Sequence, residues 1–316
     1  MTTEELIAAR RAEPWREALR KSKKNKERTD IPRVEMNELD AEYRSHTRLE
    51  EVNLGLTKEQ AMQEAQRCLD CPNPTCMQGC PVSINIPTFV KNIERGEFLE
   101  AARVLKETSA LPAVCGRVCP QEKQCESKCI HLKMGKPAGA IGYLERFAAD
   151  YERESGNISI PEVAEKNGIK IAVVGSGPAG LSFAGDMAKR GYDVTVFEAL
   201  HEIGGVLKYG IPEFRLPNKI VDVEIEGLRK MGVKFMTNCI VGKTISYDDL
   251  HADGFKGIFA ASGAGLPNFM NIPGENLVGV MSSNEYLTRV NLMDAANPDS
   301  DTPVLQGKKV AGGGGG

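Results

Sequence analysis

Eight of the nine cysteines lie between Cys68 and Cys129, and no other feature of the sequence constrains the fold as strongly. They fall into two groups, in which successive cysteines are separated by two to five residues. At this spacing, thiolates on a loop or at a helix end can converge on one inorganic centre. We therefore interpret these cysteines as metal ligands. The groups are Cys68, Cys71, Cys76 and Cys80, followed by Cys115, Cys119, Cys125 and Cys129.

Three kinds of cysteine chemistry compete at this point. Disulfides are disfavoured because the N-terminal MTTEELIAARR is charged and lacks the apolar core of a secretory signal. Structural zinc stays open, because four-cysteine zinc sites also use CxxC pairs. Paired iron-sulfur clusters are favoured by the run that ends in Cys80 and Pro81. This run resembles a ferredoxin motif in which three cysteines bind one cluster and a fourth, before proline, reaches a second.

That run departs from bacterial ferredoxins between Cys71 and Cys76, where four residues stand in place of two. An exchange of ligands between the two cysteine groups would place two clusters side by side. Such a pair would carry single electrons.

The composition limits the partners. A chain of 316 residues corresponds to about two domains. Its 40 basic and 43 acidic residues give a formal net charge of -3, so no overall positive field recruits nucleic acid. No apolar segment approaches the roughly 20 residues that span a bilayer. We expect a cytoplasmic protein without a nucleic-acid or membrane partner, and leave oligomerisation open.

Helices are predicted on both sides of the cysteine groups. The first covers residues 4–22. Another begins near Thr57, where Thr57 and Gln60 form a capping-box pattern. A third helix should begin at Pro87, and a fourth should cover residues 139–151.

A dinucleotide-binding unit follows the polar linker at residues 156–168. A β-branched run, a glycine turn, a helix, a second strand and Glu198 succeed one another within about 30 residues. Gly175 permits the tight turn, Gly177 lets the backbone approach a pyrophosphate, and Gly180 lets helix and strand pack. Glu198 would bind ribose hydroxyls and repel a 2'-phosphate, so FAD or NAD fits and NADP does not. The turn consists of Gly175, Ser176, Gly177, Pro178, Ala179 and Gly180.

Further candidate residues follow this unit. Gly204 and Gly205 form a second place where backbone can approach a ligand. Gly263 lies in a glycine turn at a predicted strand end, where nucleotides bind in open α/β sheets. Arg215 is the cation of a proline-bounded loop, and Cys239, outside both groups, is interpreted as a buried thiol.

Taken together, these residues resemble the small, flavin-containing subunit of bacterial NADPH-dependent glutamate synthase. They also resemble two related oxidoreductases: the N-terminal region of dihydropyrimidine dehydrogenase and the larger subunit of NADH-dependent ferredoxin:NADP oxidoreductase. The likeness covers roughly residues 30–310. The matching strings are CLDCPNPTCMQGCP, LPAVCGRVCPQEKQCESKC, AIGYLERFAADY, VVGSGPAGL, FEALHEIGGVLKYGIPEFRLP and AASGAG.

The resemblance implies specific ligands for two [4Fe-4S] clusters. The spacing alone suggests eight thiolates, whereas the resemblance replaces Cys115 by Glu145 and leaves Cys115 as a packed thiol. An oxygen ligand would retain the cluster while altering its potential. The implied sets are Cys68, Cys71, Cys76 and Cys129 for one cluster, and Cys80, Cys119, Cys125 and Glu145 for the other.

The resemblance also implies an FAD site and an electron path. A hydride would pass from a nicotinamide to FAD, and single electrons would continue through the clusters to a partner. The partner would be a glutamate synthase large subunit, for glutamate synthesis from glutamine and 2-oxoglutarate, or a ferredoxin-type redox protein. A non-catalytic metal- and nucleotide-binding module is the alternative from another class. The FAD residues implied by the resemblance are Gly175 to Gly180, Glu198, Gly205, Val206, Arg215 and Val241.

The expected architecture is an α+β multidomain chain. Residues 1–155 would form a helical domain with the two clusters, and residues 169–311 the first part of a Rossmann-like FAD-binding domain. A glycine tail at residues 312–316 stands where the family continues into its NADPH-binding domain. The chain is therefore expected to be truncated, to lack the NADPH site and to be inactive alone.

Overall fold

The computed structural model describes residues 3–297, 299–304 and 307–313. Its N-terminal part is a set of short helices with one small antiparallel strand pair. The helices are α1 (Thr3–Arg11), α2 (Pro14–Ser22), α3 (Asn25–Asp30), α4 (Ala41–His46), α5 (Lys58–Gln66), α6 (Thr75–Gln78), α7 (Ile86–Glu94), α8 (Phe98–Lys106), α9 (Pro112–Val118), α10 (Ile130–Lys133) and α11 (Ile141–Ser155). The strands are β1 (Asn37–Glu38) and β2 (Asn53–Gly55), and 3-10 turns cover Gln121–Lys123 and Glu126–Lys128.

The second part is a parallel sheet with flanking helices. Its elements are β3 (Lys170–Val174), α12 (Pro178–Lys189), β4 (Asp193–Phe197), α13 (Val206–Tyr209), α14 (Asn218–Lys230), β5 (Lys234–Met236), α15 (Tyr247–Ala252), β6 (Phe255–Ala260) and α16 (Ser283–Leu292). The strand order is β5-β4-β3-β6, with every pair parallel. The chain thus combines a helical region with an α/β region, in the predicted order.

Local chemistry explains where the helices begin. At α5 the Thr57 hydroxyl accepts a hydrogen bond from Gln60 N at 3.2 Å, and the Gln60 side chain accepts one from Thr57 N at 2.9 Å. This is the predicted capping box. The predicted helix over residues 4–22 is instead divided into α1 and α2, because Pro14 starts α2 and lacks the N–H that a continuous helix needs.

The parallel sheet brings the ends of β3 and β6 together. Val174 pairs with Ala260, and Ala261 N then donates to Val174 O at 2.8 Å. The glycine turn after β3 and the turn after β6 therefore meet at the carboxyl edge of the sheet, where open α/β sheets bind ligands.

The two regions share a hydrophobic core. Leu111 and Val114 near or on α9, and Ala149 on α11, are buried in one cluster with Leu181 and Leu228 of the α/β region. A second cluster fills the helical region around α5, α7, α8 and α11. Helices α9 and α11 consequently belong structurally to both regions.

Polar contacts fasten the same interface. Glu224 on α14 accepts a hydrogen bond from Ala113 N on α9 at 2.7 Å. Lys189 at the end of α12 donates to the carbonyl of Lys106 at 2.9 Å. Each contact joins a residue of the sheet region to the backbone of a helix in the cysteine-bearing region.

Within the described part of the chain, no helix has the length and apolar character needed to cross a membrane. Of the expected glycine tail at residues 312–316, the last three residues lie outside the described ranges.

Candidate iron-sulfur and dinucleotide sites

Four thiols from the two cysteine groups line one cavity. Cys68 follows α5, Cys71 and Cys76 come from the next loop and α6, and Cys129 precedes α10. Apolar side chains complete the walls, among them Ile86, Val90, Ile141 and Leu144. The structure thus brings together the four residues of the first implied ligand set, including the one from the distant group.

Burial favours the neutral form of Cys68, Cys71 and Cys76, because it raises the pKa of each of these thiols. Burial raises the pKa of Cys68 to about 11, and burial together with the neighbouring thiols Cys68, Cys129 and Cys71 raises the pKa of Cys76 well above its usual value. The Lys91 ammonium opposes the shift at Cys68, and its Nζ donates to Cys68 O at 2.6 Å. A bound cation would relieve the mutual repulsion of the thiolates.

Helix α9 presents the next thiols to α11. Cys115 lies on α9 and Cys119 caps its end, one turn later. A Cβ at Gly116 would lie 2.4 Å from Arg146 N on α11, so the two helices approach backbone to backbone only because residue 116 is glycine. This close approach brings α9 beside Glu145.

Glu145 is the centre of the second group of donors. It is only 5% exposed, and its Oε1 has no hydrogen-bond partner among the described residues. Burial, then the charges of Cys119 and Glu224, raise the pKa of this carboxyl well above its usual value. Glu145 in turn raises the pKa values of Cys80 and Cys125, after the larger effect of burial. The four residues of the second implied set therefore lie within electrostatic reach of one another.

An orphaned buried carboxylate oxygen among three thiols fits an inorganic ligand, because burial of an unpaired acidic group is otherwise costly. Cys76 also interacts with Cys125, which places the two sets side by side. A [4Fe-4S] cluster in each set is consistent with these donors, and Cys80, Cys119, Cys125 and Glu145 would hold the second one.

The donors do not form a mononuclear metal site. Across the described ranges, no three His, Cys, Asp or Glu side chains converge closely enough to hold a single metal ion, and all nine cysteines are free thiols. Zinc needs sulfurs about 2.3 Å from one point, whereas the four thiolates of an iron-sulfur cube bind its separate corners. The arrangement favours clusters over zinc and over disulfides.

Cys115, which the resemblance leaves out of the ligand set, also lies in this neighbourhood. The neighbouring Cys119 raises the pKa of Cys115 well above its usual value, and Cys115 in turn lowers the pKa of Cys119 to about 7. Glu145 and burial add to the increase at Cys115.

The glycine turn after β3 forms an open cradle. Gly175 has φ +101°, and a Cβ there would lie 2.3 Å from Ala261 O. A Cβ at Gly180 would lie 2.0 Å from Gly175 O, so α12 can pack against the turn only with glycine at this position. At Gly177 a Cβ would meet nothing within 4 Å, which leaves free space at the N-terminus of α12. A dinucleotide pyrophosphate fits such a place.

Glu198 directly follows β4 beside this cradle and is almost fully buried. Its carboxylate accepts hydrogen bonds from Ser176 N at 2.8 Å, from the Ser176 hydroxyl and from Leu200 N at 2.9 Å. The Ser176 hydroxyl accepts from Gly204 N at 2.9 Å. Glu198 thus orders two turns around the cradle, and one of its four lone-pair positions is left for a ribose hydroxyl.

The remaining residues predicted for the dinucleotide site follow strands of the same sheet, and they differ in how tightly they are packed. Gly205 packs so tightly on Gly177 that a Cβ would lie 2.8 Å from its Cα. Val206 opens α13 and is 40% exposed, and Arg215 is exposed. Val241 is partly buried in the segment after β5, and Gly263 lies beyond β6 with φ +70°. Their assignment to a dinucleotide stays a prediction.

Two residues near the clusters carried no clear sequence signal. Gly116 is recognisable only from the packing of α9 on α11. His131 is buried in the wall of the first cavity and contacts Arg67 O through Nε2 at 3.0 Å. Because a carbonyl only accepts, that nitrogen holds the proton, and Nδ1 has no partner among the described residues.

Two family models match the chain. Residues 44–157 match the dihydropyrimidine dehydrogenase domain II, 4Fe-4S cluster. Residues 173–231 match an NAD(P)-binding Rossmann-like domain. These matches confirm the predicted classes of cofactor, iron-sulfur clusters and dinucleotides, in the order in which the chain presents their sites.

Curated proteins that match most of the chain extend this result. The NAD-dependent dihydropyrimidine dehydrogenase subunit PreT of Escherichia coli (strain K12) is 36% identical over 84% of this chain. The glutamate synthase [NADPH] small chains of Escherichia coli (strain K12) and Azospirillum brasilense are 35% and 32% identical over 81% and 76% of it. The chain spans 62% of PreT and 55% and 50% of the two small chains. The chain is therefore similar to PreT and to the glutamate synthase small chain, and it has an iron-sulfur region followed by an NAD(P)-binding region, as its motifs predicted.

Proposed function

We propose that this chain is the electron-relay part of an NAD(P)H-dependent oxidoreductase. Electrons would pass from FAD in the α/β region to two [4Fe-4S] clusters in the helical region and then to a partner subunit. The observation that carries this proposal is Glu145, a buried carboxylate with an unpartnered oxygen beside Cys80, Cys119 and Cys125.

The residues of the helical region would hold the clusters that form the electron-transfer path. Cys68, Cys71, Cys76 and Cys129 would hold one cluster, and the set that includes Glu145 the other. The apolar side chains in the wall of the first cavity would limit the access of water to a cluster, and solvent exposure is one of the factors that set a cluster potential. The adjoining positions of the two sets keep any transfer between them short.

The residues of the α/β region supply the cradle for FAD. Gly177 leaves room for the pyrophosphate at the N-terminus of α12, and Glu198 would accept a ribose hydroxyl. FAD accepts a hydride as two electrons and releases them singly, which is the chemistry it would supply here. The bonds of Glu198 to Ser176 and Leu200 keep the acid in place before the cofactor arrives.

The terminal reaction that we propose is glutamate synthesis from glutamine and 2-oxoglutarate, with a large subunit as electron acceptor. A second candidate is pyrimidine reduction or oxidation with a catalytic subunit, which is favoured by the 36% identity to PreT. A ferredoxin-type protein would be a third acceptor with the same chemistry. All three use the same relay, and all suit a reducing compartment, in which the cysteines do not form disulfides and can bind the clusters.

The relay can be tested without a nicotinamide. The full chain is reconstituted anaerobically with iron, sulfide and FAD, and the bound flavin is photoreduced with a tertiary amine as the sacrificial electron donor. The proposal predicts that reduced flavin is reoxidised while the cluster absorbance bleaches. Colourless protein with stoichiometric zinc, or clusters that ignore the reduced flavin, would make the chain a binding module.

The acceptor can be tested by pairing. The loaded chain, with its flavin photoreduced as above to supply the electrons, is mixed separately with a glutamate synthase large subunit, glutamine and 2-oxoglutarate, and with the catalytic partner of PreT and a pyrimidine. Glutamate formed only in the first mixture supports the leading proposal. Dihydropyrimidine turnover only in the second supports the alternative.

A further inference from the structure

Three arginines of helices α1 and α2 converge on the loop of residues 68–71, which carries the first two cysteines. Asp70 in this loop is fully buried. Arg16 donates to its carboxylate through Nη2 at 2.5 Å and through Nε at 3.0 Å, and Arg20 Nη1 donates to the same carboxylate at 2.7 Å. Arg11 Nε donates to the Asp70 carbonyl at 2.9 Å. Both the side chain and the backbone of Asp70 are therefore held by the N-terminal helices.

The backbone conformation of Asp70 makes these contacts important for the loop. Its φ is +52°, in the left-handed region that few residues other than glycine adopt. Such a conformation persists when the surrounding structure fixes it. The turn at Asp70 sets the positions of Cys68 and Cys71, which both line the first cavity. The bonds to Asp70 thus stabilise the turn that places these two thiols together.

Helix α3 reaches the same loop by a second route. Arg28 Nη1 donates to Glu94 Oε1 at 2.9 Å and to Gln66 O at 2.6 Å. The other carboxylate oxygen of Glu94 accepts from Lys91 Nζ, which also donates to Cys68 O. Arg28, Glu94 and Lys91 are all buried. A continuous set of buried polar contacts therefore joins α3 to the backbone of the first cysteine.

The arginines also change the charge beside the first ligand set. Arg16 and Arg20 bring two positive charges to the loop, against the one negative charge of Asp70. Reduction of a cluster adds negative charge, which a nearby positive charge stabilises, so an excess of positive charge raises the reduction potential. Because Arg16 and Asp70 are buried, water and salt screen this effect only weakly.

We propose that helices α1 to α3 form a clamp on the loop of residues 68–71. Arg16 and Arg20 are positioning residues that act on the first cluster through Asp70. The clamp slows the loss of iron from this cluster and raises its reduction potential. It precedes residues 44–157, which match the iron-sulfur family model, so it assigns a role to helices outside that match. The inference rests on the first ligand set of the proposed function.

The test follows the full, reconstituted chain by redox titration with electron paramagnetic resonance, and by iron release to a chelator. Arg20→Gln removes one positive charge while Arg16 still holds Asp70. It should lower the potential of the first cluster alone and speed its iron release roughly tenfold or more. Arg20→Lys keeps the charge and should reverse most of both effects. Asp70→Asn removes the negative charge, so it should also speed iron release but shift the potential upwards.

Arg10→Gln is the matched control. Arg10 lies on α1 and pairs with Glu107 at 2.7 Å, and its side chain is 17% exposed, against 20% for Arg20. The Arg10 variant should leave the potential and the iron release of the first cluster unchanged. An effect equal to that of Arg20→Gln would indicate loosened helices alone and would overturn the inference.

The remaining outcomes separate this inference from the proposed function. An unchanged first cluster in Arg20→Gln would overturn the inference, and so would potential shifts of the same sign in Arg20→Gln and Asp70→Asn. In either case the wild-type chain would still hold two clusters, and the proposed function would stand. A wild-type chain that takes up no iron would refute the proposed function and this inference with it.

Discussion

Glu145 shows how a single residue can be structurally exceptional without an exceptional local sequence. It lies on α11, where the pattern of a helix glutamate normally indicates a solvated side chain. Its burial comes from α9, which covers it through contacts between residues about 30 positions apart. The spacing of residues in α11 therefore could not predict that Glu145 is buried beside α9. The family resemblance proposed Glu145 as a ligand because it carries information about the tertiary fold.

Replacement of Glu145 should affect one cluster. Glu145→Ala removes the oxygen donor, so we expect it to bind roughly half of the wild-type iron, because one of two clusters is lost. Glu145→Gln keeps an oxygen and should bind nearly all of it, with an altered potential. Iron and sulfide analysis checks both.

Glu154→Ala is the matched control, because Glu154 lies on the same helix but is exposed. It should bind iron like the wild type. Full iron content with an unchanged spectrum in Glu145→Ala would show that Glu145 is not a ligand.

Glu224 gives a prediction for pH. Burial raises its pKa from 4.5 to about 7, while the bond from Ala113 N and the charge of Lys106 oppose this and Glu152 adds to it. The folded state therefore binds the proton more tightly than the unfolded state. Its contribution to the free energy of unfolding is complete below about pH 4.5 and is lost as the pH rises through 7.

That loss should be on the order of 3 kcal/mol by pH 8, at about 1.4 kcal/mol per pH unit. Glu224→Gln cannot ionise but can still accept from Ala113 N. Urea unfolding from pH 5 to 8 should therefore show a decline in the wild type that the variant lacks. Parallel declines in the two proteins would exclude Glu224 as the source.

The dinucleotide site and the second cluster site each depend on contacts between neighbouring secondary-structure elements. Within the dinucleotide unit, the strand, turn, helix and acid are close in sequence, so their pattern predicted β3, α12 and β4 in the right order. The contact of α9 with α11 depends on Gly116 and on loops between them, and no periodicity predicts it. Cys115 lies on α9 itself, where the cysteine spacing alone does not indicate a helix.

The approach of α9 to α11 can be tested by Gly116→Ala. The added Cβ would meet the Arg146 backbone, so we expect a loss of about 1–3 kcal/mol in the free energy of unfolding and weaker retention of the second cluster. Gly227→Ala on α14 is the control, because a Cβ there meets nothing within 4 Å. It should stabilise the chain by up to about 1 kcal/mol. If Gly116→Ala and Gly227→Ala changed the free energy of unfolding by urea equally, the close packing of α9 on α11 would be contradicted.

The cradle can be tested in the same way. Gly177→Ala fills the free space at the start of α12 and should weaken FAD binding by roughly tenfold or more, about 1.4 kcal/mol, with little change in unfolding. Gly180→Ala meets Gly175 O and should lower stability itself. Fluorescence titration with FAD and thermal melts separate the two effects. Unchanged FAD affinity in Gly177→Ala would remove Gly177 from the site.

At the scale of the whole molecule, the cysteine-bearing helices and the parallel sheet form a continuous structure. Leu111, Val114 and Ala149 are buried with the core of the sheet region, and Glu224 holds the N-terminal end of α9. Composition and motifs predicted the two regions and their order, but not this shared core, because its residues look like ordinary helix positions. The contact gives the clusters a fixed position relative to the cradle.

In the proposed arrangement, ligands from the two cysteine groups cross, so that Cys129 belongs with Cys68 and not with its sequence neighbour Cys125. The most direct test is electron paramagnetic resonance of dithionite-reduced, reconstituted chains that carry Cys68→Ser, Cys129→Ser or Cys125→Ser. We predict that Cys68→Ser and Cys129→Ser lose the same cluster signal, and that Cys125→Ser loses the other. The crossed arrangement would be contradicted if Cys129→Ser and Cys125→Ser lost the same signal and Cys68→Ser lost a different one.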